Sequence, residues 1–146
     1  MQNIKLLKET LKKLKKLKET QFYYNSFILK CVSGCPTVCC IAGWIPTFHS
    51  DSPFEYRGSN NQKFMTLSIK ESSDNSVMAI FAALISYYDL SSKEINYLFF
   101  GNELFLVDRL ILEDLPVLDA NPSLVEVIKI WNWFIKYKEK QLTLTA

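Results

Sequence analysis

The sequence predicts an all-α or mainly α fold: a compact bundle of five to six helices around a buried central helix, with one small β-hairpin near 54–70. Three observations carry that prediction. Apolar residues recur at helical spacing in residues 3–20 and again from Leu124 to Ile135. Val77–Tyr88 is apolar on nearly all sides, interrupted late by Ser86, as in a helix enclosed by its neighbours. In only one stretch, 65–70, do Met65, Leu67 and Ile69 alternate with Thr66, Ser68 and Lys70 at the period of a strand.

With 146 residues, the chain is read as a single domain, 1–146, large enough to bury a core. Its charge is uneven. Residues 1–20 hold seven Lys and two Glu, a balance of +5, and the other 126 balance at −3, giving +2 in all. A basic amino-terminal helix on a mildly acidic body can dock on that body, on a sister chain or on an acidic partner. The arm has no interleaved aromatics to stack on bases, so nucleic acid is not the expected partner. No apolar h-region follows the charged start and no run of eighteen apolar residues exists, so neither a signal peptide nor a membrane span is expected. The expected location is therefore cytoplasmic, with the four cysteines as reduced thiols.

Taken in order, Ile4, Leu7, Leu11 and Leu14 step by three, four and three and make one narrow stripe flanked by lysines. That stripe packs either on its own domain or on a second copy, as the seam of a homodimer. An aromatic cluster from Phe22 to Phe27 follows and reads as core or as the base of a pocket. Gly34 and Pro36 break the chain, and a short helix is predicted from Thr37, its cap, to Pro46, its end. Gly43 in that helix would let a neighbour approach closely. Phe54 and Tyr56 are the candidates for the strand that pairs with 65–70.

Asp89-Leu90 closes the Val77–Tyr88 helix. Ser91 with Glu94 three residues on is a capping box, and Leu90 with Ile95 its hydrophobic staple. Gly101 is the natural stop of the helix that follows. Leu104–Leu112 is read as a further short helix. Asn121-Pro122 is read as opening the last one, with Asn as cap and Pro at the first position. Leu124, Val127, Ile128, Trp131, Phe134 and Ile135 share one face of it. Trp133 falls on the opposite side, among Glu126, Lys129, Lys136 and Lys140.

The densest chemistry lies in Cys35–Trp44, which holds three of the four cysteines. Spacings of x3, x3 and zero between Cys31, Cys35, Cys39 and Cys40 lack the Cys-x2-Cys knuckles of zinc modules, so no metal and no cofactor is expected. A thiol nucleophile needs a base, and His49 is the only histidine, with no recognisable partner. The leading reading of these thiols is small apolar side chains packed in a tight segment. Phosphate loops, nucleophile elbows and zinc helices are missing from the sequence.

Cys35-x-Thr37 followed by Cys40-Ile41-Ala42-Gly43-Trp44 resembles the core of a group of short bacterial and phage proteins. Their shared text is Cys-Gly-Thr, two variable residues, then Cys-Ile-Ala-Gly-Trp. The group also carries a later Leu-Ser-x-x-Glu-x-x-x-Leu-Phe, matched by Leu90, Ser91, Glu94, Leu98 and Phe99 about 50 residues on. This chain departs in having Pro36 for the usual Gly, an added Cys39, and Tyr88-Asp89 where Leu-Gly is common. The resemblance implies a small helical accessory protein of phage or mobile-element type, with the two motifs as structural signature. Proteins of that type often bind host machinery, defence proteins or their signal molecules.

The leading expectation for function is thus a non-enzymatic binding protein that modulates or inhibits a host or defence component. Its partner-binding surface is expected at Trp133, Lys129 and Lys136 and on the arm at Lys12 and Lys16. The alternative is a small-molecule or thiol-dependent protein whose pocket is lined by Tyr23, Tyr24, Cys40, Trp44 and His49. A zinc-stapled interaction module is the further alternative.

Overall fold

The computed structural model describes residues 2–19, 28–30, 41–57, 64–72, 76–102, 107–116 and 122–145. The fold is mainly α. The described elements are helices α1 (Gln2–Leu14), α2 (Ile41–Phe48), α3 (Val77–Tyr88), α4 (Ser92–Phe100) and α5 (Leu124–Thr145), and strands β1 (Ile28–Lys30), β2 (Phe54–Arg57) and β3 (Phe64–Ile69).

The stripe on α1 packs inside its own chain. Ile4, Leu7, Leu11 and Leu14 are all buried, and Thr10 widens the face to join them. Within this chain the stripe is covered by its own domain and is not presented as an open seam. The helix lies antiparallel to α5. Its start pairs with the end of α5 through Lys8 and Glu139 at 3.4 Å. Glu19, just past its end, reaches the start of α5, where its carboxylate accepts from the backbone N–H of Leu124 (3.3 Å) and Val125 (3.2 Å).

The start of α5 corrects the expected Asn121-Pro122 opening. Ser123 Oγ accepts from Glu126 N (3.2 Å), and Glu126 Oε1 accepts from Ser123 N (3.1 Å), so Ser123 is the cap and Pro122 precedes it. Ser123 carries both an acceptor side chain and a Glu three residues on, which together satisfy more of the orphan N–H groups than a cap at 121 would. Glu19 takes two more and places negative charge at the positive end of the helix. Glu19→Ala should therefore cost about 1 kcal/mol in urea unfolding, the usual worth of a cap.

The hairpin is present, with β2 antiparallel to β3 and Phe54 opposite Ile69. A third strand, β1, pairs on the other side of β3, so the sheet order is β1-β3-β2. It follows directly on the aromatic cluster expected from Phe22 to Phe27, which lies outside the described residues. Pro46 does not end α2. The helix runs through it to Phe48, and His49 N still donates to Ile45 O at 2.7 Å. Proline removes only its own N–H bond, and the packing of Ile41, Ala42, Trp44 and Ile45 holds the rest of the helix. Gly43 does admit a close neighbour: Tyr56 Oη donates to its carbonyl at 2.8 Å and meets Thr47 Oγ1 at 2.8 Å. This helix packs on α1 and on the β2–β3 pair rather than flat against α3.

The bounds of α3 are those predicted, but it is not enclosed. Ile80, Phe81, Leu84 and Tyr88 are buried, while Val77 and Met78 are 43% and 47% exposed. Two runs are buried without a break, Ile41–Ile45 of α2 and Ile95–Phe99 of α4. The capping box at Ser91 and Glu94 is formed (3.2 and 3.0 Å), and Gly101 ends α4 at φ 59°. The described part of the second resemblance motif is thus structural: Leu90, Leu98 and Phe99 are core, and Ser91 with Glu94 starts the helix.

Of the helix expected over Leu104–Leu112, residues 104–106 lie outside the described residues and 107–112 are not helical. The segment 107–116 is a strap held by side chains of α4 and of the turn after it. Asn102 accepts from Leu110 N (3.2 Å) and donates to Leu110 O (3.4 Å). Asn96 donates to Asp108 O (3.3 Å), and Tyr97 Oη donates to Pro116 O (3.0 Å). Bonds from outside replace those a helix would make within itself.

Candidate functional site

The strap and α5 form the two walls of an open groove. On a 3.6-residue helix, Trp133, Tyr137, Lys140 and Leu144 fall on one side of α5, with Gln141 at its edge. These five, with Leu112, Glu113 and Asp114 of the strap, line a cavity of about 330 Å³. Trp133 and Tyr137 stack with ring centroids 5.5 Å apart and planes 2° apart. Tyr97 meets the far edge of Trp133 at 6.5 Å and 73°. Tyr97 thus supports the indole with its ring and pins the strap with its hydroxyl, whose pKa burial pushes up to about 12.

Trp133 is accordingly half-buried: its inner edge rests on the core and the rest faces the groove. At the groove, Leu144 is 77% exposed, and Ile111, next to Leu112, is 84% exposed. Apolar side chains gathered at a groove mark a candidate contact surface.

The other expected partner-binding residues do not join Trp133 in the groove. Lys129 and Lys136 are exposed on α5, outside its lining, and Lys12 and Lys16 are exposed on the arm. The sequence reading set Lys140 beside Trp133 but missed Tyr137, Gln141 and Leu144, although offsets of four, eight and eleven from Trp133 mark the same side of a helix. The strap wall had no such signal.

Of the expected pocket, Trp44 and His49 are among the described residues. Tyr23, Tyr24 and Cys40 lie outside the described residues, as do the other three cysteines. Trp44 is buried against Leu17, Phe48 and Tyr56. Phe48 separates it from His49, stacking on Trp44 at 6.0 Å and meeting His49 edge-on at 6.4 Å. Among the described residues no three His, Cys, Asp or Glu side chains converge as metal ligands.

His49 instead belongs to a buried polar junction of α1, α2 and α3. Thr10 Oγ1 lies 2.9 Å from His49 Nε2, 2.8 Å from Tyr88 Oη and 2.9 Å from Leu6 O. A hydroxyl has one proton, and the Leu6 carbonyl can only accept. Thr10 therefore donates to Leu6, while His49 Nε2–H and Tyr88 O–H both donate to Thr10. Burial lowers the His49 pKa; the carboxylates of Asp51 and Glu9 oppose that shift and Lys13 adds to it. Burial pushes Tyr87 up to about 12, and Asp51 and Glu9 add to that rise. A neutral His49 with Nε2 bound to Thr10 acts here as a tie between elements.

Comparison with protein-family models, with curated proteins and with solved structures returns no match for this chain. Fold and groove together define a small, mainly helical protein with an aromatic surface cleft beside its last helix.

Proposed function

We propose that this is a non-enzymatic binding protein whose contact surface is the groove at Trp133. One observation carries the reading: a stacked Trp133–Tyr137 pair, braced from behind by Tyr97, lines an open cleft with exposed apolar side chains at its rim. Rigid aromatic anchors of this kind dominate the energy of protein interfaces. Among the described residues no helix is long and apolar enough to cross a membrane. The resemblance of the two motifs to short bacterial and phage proteins supports a partner in the host cytoplasm, a host or defence component that the protein modulates or inhibits.

The test is Trp133→Ala. The variant should stay folded, losing about 1–2 kcal/mol of stability as a half-buried residue does. Its capture of the partner retained by the native protein should weaken by about tenfold or more, the loss expected of an aromatic anchor. Undiminished capture by a folded Trp133→Ala would end this reading.

A further inference from the structure

The charges along the groove say what kind of surface fits it, given that the groove is the contact site. Lys129, Lys136 and Lys140 recur at seven and four residues and form a basic ridge along one edge of the Trp133–Tyr137–Leu144 stripe. All three are exposed. The strap wall carries Glu113 and Asp114, both exposed. Lys140 lines the cavity together with those two carboxylates, yet among the described residues no ion pair closes across it. The other α5 charges are used elsewhere: Lys138 pairs with Glu94 at 2.9 Å and Glu139 with Lys8 at 3.4 Å. What remains is an apolar stripe, basic along one side and acidic along the other.

We propose that the groove receives an amphipathic helix of a partner protein, one with an apolar ridge flanked by acidic side chains on one side and basic ones on the other. The acidic flank lies along Lys129, Lys136 and Lys140, and the basic flank meets Glu113 and Asp114. A helix suits the stripe because its anchors at three- and four-residue spacing match Trp133, Tyr137, Lys140 and Leu144 on the receiving helix. Opposite charges on the two walls then set the direction in which it lies, since the reversed helix brings like charges together.

The experiment is selection from a displayed library of single helices against the full chain. The helices carry a fixed apolar ridge, with both flanks randomised between Glu and Lys. Selection should enrich helices with Glu on one flank and Lys on the other. For these, the double variant Glu113→Lys/Asp114→Lys should weaken binding by about tenfold or more, as reversed charges do at an interface. Changing the basic flank to Glu should restore it. Both substituted side chains are exposed, so the variant should fold as the native chain does. Enriched helices that need Trp133 but show no flank preference would overturn the proposed occupant and leave the groove as the contact site. An outcome in which no helix is retained, or in which Trp133→Ala retains them equally, would overturn both.

Discussion

Trp131→Ala is expected to cost about 3–5 kcal/mol, the range for deleting a buried large aromatic side chain. Trp131 is fully buried, edge-on to Phe99 at 5.4 Å and to Tyr88 at 6.4 Å. It therefore joins α5 to both α3 and α4. A domain is stable by only about 5–15 kcal/mol, so the variant should be largely unfolded at moderate urea and at raised temperature. Trp133→Ala, two residues on, should cost about 1–2 kcal/mol, because that side chain is only partly buried. The contrast tests the fold, since α5 must present 131 inward and 133 to the groove. Trp131→Phe sharpens it. Trp131 Nε1 is buried with no partner among the described residues. Phe keeps most of the ring and removes that unsatisfied donor, so it should cost under about 1.5 kcal/mol. Similar losses from Trp131→Ala and Trp133→Ala would mean that the two indoles are not on opposite sides.

The separation of those tryptophans was legible because a long amphipathic helix writes its faces into the sequence at a fixed period. The capping box at Ser91 and Glu94 was legible for a similar reason: both partners lie within four residues. The same pattern stands at Ser123 and Glu126, but the Asn121-Pro122 pair drew the start of α5 too early. What the sequence hides is whatever distant groups settle. The strap at 107–116 is apolar enough to be taken for a helix, yet its backbone is tied to Asn96, Tyr97 and Asn102. Pro46 sits inside α2 because of the packing around it. Thr10 could have been placed, since it lies three residues after Leu7 and four before Leu14. Its partners, 39 and 78 residues away, could not. Half of the groove was open to reading for the same reason: α5 supplies a periodic wall, and the strap supplies one that exists only once folded.

That junction yields the second large effect. Thr10→Val keeps the shape but removes the acceptor of two buried donors, His49 Nε2–H and Tyr88 O–H. Each donor left unpaired costs about 1–3 kcal/mol, so the variant should lose about 2–6 kcal/mol in urea unfolding. Tyr88→Phe removes one of those donors, so adding it to Thr10→Val should cost little more, whereas alone it costs about 1 kcal/mol. Strict additivity would mean that the three groups do not share one proton arrangement. The junction also gives the protein an acid limit. Burial holds the His49 pKa below 6.5 in the fold, against the pull of Asp51 and Glu9 and with the help of Lys13. As pH falls through 6.5, the unfolded chain takes up this proton before the folded one does. The contribution is therefore complete above 6.5 and is lost progressively as pH falls toward the folded-state value. His49→Gln offers an amide N–H in place of Nε2–H and cannot titrate. Between about pH 7.5 and about pH 5.5, where an imidazole changes charge, the native protein should lose more stability than this variant. Equal losses in the two would mean that the ring is not the source of the acid sensitivity.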